Sequence, residues 1–356
     1  MVNDIKISKY QLLVLMMGFI FGIIVNPASA AYQDAWLAFI MGWAAGFILI
    51  GMYAYIAILN PNKTLIDILR ATFGKYLGSI LGMLYIWYFI HLAAIILRNF
   101  GEFMVISTYT ETPLIFIVII LSGAVAYQVR SGLEVLARMS ELFVPLVPIF
   151  VLFLFLILLP EYDVSNFLPI LERGITPVIK AAFSITTFPF GEVVLFLMIF
   201  PALNEKDELF KTSYLATAIM GMILFIITIR DLLVLGPNFF ANAIFPPVIT
   251  TSVIPNLNLN LDPVIFVNFL IGGGIKGSLL IYAAALGLAQ LFKLDHYKSF
   301  IIPLLLVTVG LSQWLYGSIM ETLQWSAQIY PYYAIPFQVI IPLIILITSL
   351  IKETIQ

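Results

Sequence analysis

The sequence predicts an all-α integral membrane protein with ten transmembrane helices. Three observations carry that prediction. Hydrophobic residues make up 62% of the 356 residues and charged residues only 10%, against about 25% charged in an ordinary soluble domain. The apolar residues gather into stretches of bilayer length, about 20 residues each for a hydrocarbon core of about 30 Å. The Lys and Arg residues are distributed unevenly between the two sets of connections, as the positive-inside rule requires of a membrane protein.

The stretches lie at about 10–29, 34–59, 77–100, 113–129, 141–160, 177–203, 209–233, 262–291, 297–317 and 330–351. No connection is long enough to hold a soluble domain, so residues 1–356 read as a single transmembrane domain. With the N-terminus inside, 12 of the 17 Lys and Arg fall on the inner side: Lys6, Lys9, Lys63, Arg70, Lys75, Arg130, Arg138, Lys206, Lys211, Lys293, Lys298 and Lys352. Arg98, Arg173, Lys180, Arg230 and Lys276 lie outside or within spans. Both termini are therefore expected in the cytoplasm. A rival reading of the start exists. Lys6 and Lys9, the run Leu12–Val25 and Ala28-Ser29-Ala30 also have the order of a cleavable signal peptide.

Composition excludes several function classes. A net charge of −2 offers no general affinity for nucleic acid. The chain has no cysteine and two histidines, His91 and His296, so thiolate chemistry is absent and a histidine metal site is starved of ligands. No phosphate-binding loop, nucleophile elbow or paired-histidine zinc helix is present. No enzyme activity, cofactor or metal is expected.

Two spans carry helix breakers near their middle. Span 1 has Gly18, Gly22 and then Asn26-Pro27; span 6 has Thr186-Thr187-Phe188-Pro189-Phe190-Gly191-Glu192. Proline removes a backbone donor and glycine tolerates unwound backbone. If ten spans divide as five plus five, spans 1 and 6 occupy matching places, and five spans per half invert the second half relative to the first. That predicts an inverted repeat, about 10–160 and 177–351, with a ligand site at the midplane between broken helices. The alternative for Gly18/Gly22 is a close-packing motif, as for Gly42/Gly46, Gly78/Gly82 and Gly273/Gly277. Between spans 7 and 8, Gly236–Asn260 contains an apolar stretch, Phe239–Val253, too short to span and broken by Pro246-Pro247. It reads either as a re-entrant lid on the outer side or as a surface loop.

Several pieces, taken in order, resemble the B subunit of spore germinant receptors, a branch of the amino acid–polyamine–organocation superfamily. They are Ile7-Ser8-Lys9-Tyr10-Gln11, the amphipathic stretch Leu65–Gly78 with Phe73-Gly74-Lys75, Asn166-Phe167-Leu168-Pro169-Ile170, Phe188-Pro189-Phe190-Gly191-Glu192 and Phe200-Pro201. The resemblance implies a LeuT-type fold and a place in the spore inner membrane. It also implies partner A and C subunits and a small germinant such as an amino acid. The chain departs from the superfamily's glycine-rich span 1, because Ile23, Ile24 and Val25 follow Gly22.

Unwound helices suit a zwitterion: amides that open a half-helix favour an anion, and carbonyls that end one favour a cation. The carboxylate is therefore expected near the backbone of Phe21, Gly22 and Ile23. The ammonium is expected near the carbonyls of Thr186, Thr187 and Phe188, with the rings of Phe188 and Phe190 around the side chain. At about 1.5 Å per residue, Glu192 lies roughly 22 Å along span 6, Lys276 about 21 Å along span 8 and His91 about 21 Å along span 3.

Charges at that depth cost several kcal/mol unless paired. Glu192 and Lys276 are expected to pair or to face a polar cavity. By the resemblance, the Lys276 ammonium could replace a sodium ion that span 8 helps to bind in sodium-coupled relatives. A purely structural pair is the alternative. His91 reads as a proton relay or as a hydrogen-bonded core histidine. Arg98 and Glu102 read as a snorkelling local ion pair or as an outer gate. Arg230-Asp231 and Lys180 read as markers of the outer ends of spans 7 and 6. The aromatic run Tyr85–Tyr88 suits a cavity wall and Tyr330–Tyr333 an interfacial belt.

A germinant-sensing subunit is the leading functional expectation. A proton-coupled amino-acid transporter and an ion- or water-conducting subunit are the alternatives on the same fold.

Overall fold

A computed structural model describes residues 6–252 and 261–355, without the side chains of Asp262 and Ile355. Among the described residues, eight helices are long and apolar enough to cross a membrane. The other two expected spans are present as a shorter apolar helix, Lys9–Phe21, and as Tyr297–Trp314, which bends by 100° into Ile319–Gln328. Among the described residues the only β pairing is one bridge, Ile7 with Leu203. It ties the start of span 1 to the end of span 6.

Helix α1 (Lys9–Phe21) opens with a capping box between Ser8 and Gln11, and the helical path ends at Gly22, whose ψ is 57°. Asn26 caps the amide of Ala28 and starts a 3₁₀ segment, Pro27–Asp34, that is kinked at Tyr32. Span 1 is thus broken over residues 22–26, where the sequence places its break, while Gly18 stays inside α1. A methyl group on Gly18 would come 2.7 Å from Ile275 Cδ1, so the packing reading describes Gly18.

Helix α2 (Ala35–Leu59) follows. The amphipathic helix α3 (Leu65–Phe73), capped by Thr64 and Asp67, ends at Gly74. With φ of +81° and open space around its Cα, Gly74 is required by the turn itself. Residues 75–78 belong to the next helix, α4 (Lys75–Ser107). Helices α5 (Leu114–Ser131), α6 (Leu133–Phe143) and α7 (Leu146–Ile157) complete the first half. The expected connection 130–140 is mostly helical, because only Gly132, with φ of +99°, is needed to turn the chain.

In span 6, α8 (Ile175–Ile185) runs into a widened turn, Thr186–Phe190, that leaves helical geometry at Phe188. A tighter half-helix, Gly191–Met198, continues it. Then come α9 (Leu209–Leu235), two short helices α10 (Pro237–Asn242) and α11 (Pro246–Ser252), and α12 (Asp262–Phe292). The expected outer lid is therefore a pair of short helices as far as residue 252; residues 253–260 of that segment lie outside the described residues. The chain closes with α13 (Ile301–Trp314), α14 (Ile319–Gln328), α15 (Tyr330–Ile335) and α16 (Ile341–Ile355).

The core is built on α1, α4, α12 and the half-helix 191–198, which are buried along most of their length. Helix α4 packs along α12, and α1 lies between α9 and α12. The outer helices present large apolar side chains such as Ile48, Ile120, Leu306 and Ile344, the surface that a protein solvated by lipid needs. Contacts of Lys6 with Glu134, Lys9 with Glu205 and Glu208, and Lys352 with the Ala71 carbonyl gather both chain ends on one face. The chain is a multi-pass membrane protein.

Candidate functional site

The break in span 6 aims Glu192 into the centre of the bundle. Lys276 comes from the middle of α12, and its Nζ lies 2.5 Å from Glu192 Oε2. Both side chains are buried, Lys276 completely. The contact is an ion pair whose angles fall outside hydrogen-bond geometry. The ammonium also lies 4.7 Å from the Phe188 ring centroid and 5.1 Å from that of Phe19. Two aromatic faces and a carboxylate compensate its desolvation.

The second oxygen of Glu192 is held by the Tyr330 hydroxyl at 2.5 Å. Tyr330 shares a hydrogen bond of 3.1 Å with Tyr88. Gln338 Nε2 donates to the Tyr88 hydroxyl at 2.8 Å and to the Thr187 carbonyl at 2.9 Å. Tyr53 donates to the Gln338 carbonyl at 2.7 Å and the Gly191 carbonyl at 3.2 Å. An unbroken polar chain thus links α12, the span-6 break, α4 and the last span through a buried interior. Thr186 accepts from the Gly191 amide, so two of the three carbonyls expected to meet an ammonium, those of Thr186 and Thr187, already have donors.

At span 1 the Gly22 amide bonds back to the Phe19 carbonyl and the Ile23 amide to the Phe21 carbonyl. The amides of Ile24, Val25 and Asn26 have no acceptor among the described residues. The unspent donors therefore lie three residues beyond the expected position. Gly22 also permits close contact: a methyl group there would fall 2.7 Å from the Gly272 carbonyl oxygen and from Lys276 Cβ.

A cavity of about 790 Å³ descends between the 1–2, 5–6, 7–8 and 9–10 connections to Phe188, Glu192 and Tyr330. It opens on the face opposite the chain ends. Arg173 and Lys180 line it, and Arg173 is stacked on Tyr32 with its guanidinium 3.7 Å from the ring centroid. Phe188 is part of the cavity wall. Phe190 is turned away, against Gly46 and Phe39 of α2. His91 stands apart from the Glu192–Lys276 pair. It stacks on Trp87 and meets Trp325 and Tyr333 edge-on, and its Nδ1 has no hydrogen-bond partner among the described residues.

Three local expectations need correction. Tyr330 is not an interfacial anchor: it is 4% exposed and holds Glu192, while Tyr332 at 65% exposure faces outward. Arg98 and Glu102 do pair, at 2.8 Å, but both are buried. Arg98 does not snorkel, because Nη1 also donates to the Ser312 carbonyl at 2.7 Å. Arg230 and Asp231 do not merely mark a helix end. They form a fully buried pair at 2.6 Å, with Thr250 of α11 donating to Asp231 at 3.0 Å.

Sequence reasoning missed Gln338, and it named Tyr88 and Tyr330 only as members of aromatic clusters, not as hydrogen-bond partners around Glu192. Gln338 carried a usable signal, as a lone amide deep in an apolar span. The tyrosines signalled a cavity wall or an interfacial belt but not their hydrogen-bond partners, since a tyrosine in a membrane segment is ordinary at either interface.

The comparisons agree with this architecture. A profile of the family described as "Spore germination protein" matches residues 6–317. Spore germination protein KB of Bacillus subtilis (strain 168) is 34% identical, covering 98% of this chain and 95% of that one. Spore germination protein A2 of the same organism is 27% identical over 65% of this chain and 60% of that one. Among solved structures, the nucleobase-cation-symport-1 family transporter Mhp1, closed with bromovinylhydantoin bound, superposes with a TM-score of 0.69 at 13% identity. That match covers 90% of this chain and 74% of Mhp1. MhsT in complex with L-phenylalanine gives a TM-score of 0.65 at 14% identity, covering 97% of this chain and 99% of that one. The architecture is that of LeuT-fold transporters, and by the extent of these matches the chain belongs to the spore germination protein family.

Proposed function

We propose that the chain is the germinant-sensing membrane subunit of a spore germination receptor. It binds a small molecule, an amino acid in the first instance, at the midplane between the broken spans 1 and 6. The observation that carries this reading is the cavity of about 790 Å³ whose floor is Phe188, Glu192 and Tyr330, at the point where span 6 leaves helical geometry. A concave, mostly apolar space with a few convergent polar groups is the usual form of a small-molecule site.

The sensing mechanism is a shift of populations. A ligand that contacts the wall at Phe188 favours the arrangement in which span 6 is broken there. It moves the balance only by its difference in affinity for the two arrangements. Movement of the half-helix 191–198 is then transmitted through Glu192 to α12 and the last span. Receptor A and C subunits read the change. The chain resides in the spore inner membrane with both termini in the cytoplasm, in keeping with the Lys and Arg bias of the connections on that face.

A Ser184→Trp variant tests the reading. Ser184 lines the cavity and stands outside the polar chain. Spores carrying the variant at normal receptor level should lose their response to the germinant. A wild-type response would sink the proposal.

A carrier on the same fold is the second reading, favoured by the superposition on two transporters bound to small organic molecules. Robust substrate uptake into proteoliposomes holding this chain alone would select the carrier over the sensor.

A further inference from the structure

The mouth of the large cavity carries a charge that its floor does not. At the floor, Glu192 is neutralised by Lys276. Nearer the opening, Arg173 and Lys180 line the wall, and neither forms an ion pair among the described residues. Thr176, Lys180, Ser184 and Phe188 line it at four-residue intervals, so one face of α8 leads from mouth to floor. At about 1.5 Å per residue, Lys180 stands about 12 Å above Phe188. The acid next to Arg173 in sequence, Glu172, is not part of the wall, and it accepts from Gln33 Nε2 at 3.2 Å.

Arg173 is held in place. Its guanidinium lies 3.7 Å from the Tyr32 ring centroid, and Nη2 donates to Asn238 Oδ1 at 3.1 Å. Stacking uses the face of the guanidinium and Asn238 takes one of its five N–H groups, which leaves most of the edge open to the cavity. The backbone on both sides is strained to keep this arrangement. Tyr32 has φ of 55° and ψ of −125°, and Leu171 also has φ of 55°, a region that residues with a Cβ avoid. The Leu171 amide donates to both carboxylate oxygens of Asp34, at 3.0 and 3.2 Å, and Asp34 is 2% exposed. The 1–2 and 5–6 connections are thus fastened together at residues 32–34 and 171–173, and what they position is a cation on the cavity wall. Strain of this kind gathers at ligand clamps. Deeper in the same wall, Asn99 is 6% exposed with its Oδ1 unpartnered among the described residues, a buried acceptor that a polar guest would satisfy.

Two cations without counter-charges in a concave mouth focus a positive potential there. A guanidinium edge matches the paired oxygens of a carboxylate or phosphate, and an ammonium adds a point charge. We propose that Arg173, Thr176 and Lys180 form an outer subsite for an oxyanion, distinct from the site at the floor. The oxyanion is either a free effector ion or the charged far end of a ligand whose other end reaches Phe188. The chemistry of recognition is the same for both sources, and the subsite does not depend on which molecule occupies the floor.

The test is calorimetric titration of the full chain in phosphatidylcholine nanodiscs, which offer no anionic head groups. The probes are inorganic phosphate, acetate, L-glutamate and L-glutamine, at an ionic strength fixed with chloride. Saturable binding of phosphate or acetate assigns a free anion. Glutamate binding at least tenfold tighter than glutamine, with neither free anion bound, assigns the charged end of a larger ligand. In either case an Arg173→Gln, Lys180→Gln double variant should weaken the binding at least tenfold and leave the melting temperature unchanged, since both residues are exposed. Absence of anion binding by the wild-type chain, binding that the double variant retains, or heat that an equal concentration of chloride reproduces overturns the subsite. None of these results bears on the Ser184→Trp test of the floor.

Discussion

Lys276 and Glu192 meet at 2.5 Å inside a membrane bundle, each arriving from a helix that departs from a plain apolar cylinder. Glu192 follows the span-6 break, and Lys276 lies one turn beyond Gly272, which lets the end of α1 approach α12. The pair therefore joins the half-helix beyond the span-6 break to a helix of the packed core. Removing one charge strands the other in a low dielectric. Lys276→Met should destabilise the fold by about 3–5 kcal/mol. Adding Glu192→Gln should restore most of the loss. Thermal unfolding of both variants in detergent checks this, and a double variant no better than the single would refute the pairing as the source of the effect.

Gly22 is the point where α1 gives way and where α12 comes closest. A methyl group would sit 2.7 Å from the Gly272 carbonyl oxygen. Gly22→Ala should cost about 1–3 kcal/mol by overpacking. In spores it should raise the germinant concentration needed for half-maximal response. Gly123, whose added methyl group meets nothing within 4 Å, is the control and should tolerate alanine without change in either measurement.

Tyr330 and Tyr332 are two residues apart with opposite fates. Tyr330→Phe leaves one oxygen of Glu192 without its donor and should cost about 1–3 kcal/mol. Tyr332→Phe should stay within about 0.5 kcal/mol of wild type, as an exposed position. A chemical-denaturation series on the two variants separates them, and equal effects would count against the hydrogen-bonded chain.

Thr250 fastens α11 to α9 through Asp231. Thr250→Val should lose about 1.5 kcal/mol, the worth of a hydrogen bond to a charged group. Limited proteolysis within 237–252 should then speed up several-fold while cleavage elsewhere stays constant. Uniform acceleration across the chain would mean that the bond supports the whole fold rather than this segment.

If the Lys276 ammonium stands where sodium-coupled relatives of this fold bind sodium, the germinant response needs no sodium. Half-maximal germinant concentrations measured in sodium-free and sodium-containing buffers should agree. Lys276→Met at normal receptor level should lose that response or become dependent on sodium. A variant that remained both wild-type and sodium-independent would exclude this role.

Much of the architecture was legible before any coordinates. Hydropathy placed spans 7 and 8 to within two residues of α9 and α12, because a bilayer demands an uninterrupted apolar run of known length. The breaks at 22–26 and 186–190 were legible because proline and glycine act through local backbone geometry. Equal depth and opposite sign raised the pairing of Glu192 with Lys276 as one of two readings, beside a polar cavity for each. What the sequence left illegible came from lateral placement. Phe188 and Phe190 are two residues apart, yet one walls the cavity and the other packs on α2. The backbone departs from the helix at Phe188, and helical periodicity does not carry across such a break.

By itself, then, the amino-acid sequence determined the class of solvent, the apolar segments along the chain, and the two places where the backbone loosens. These are properties of local composition along one axis, the membrane normal. Tertiary structure alone decided which neighbours each polar group meets in the plane of the membrane: Tyr330 at Glu192, Gln338 at Tyr88 and Thr187, and Arg230 beside the unspent amides of span 1. The rotation of each helix about its axis is set by packing against several others at once, and that information is absent from any single segment.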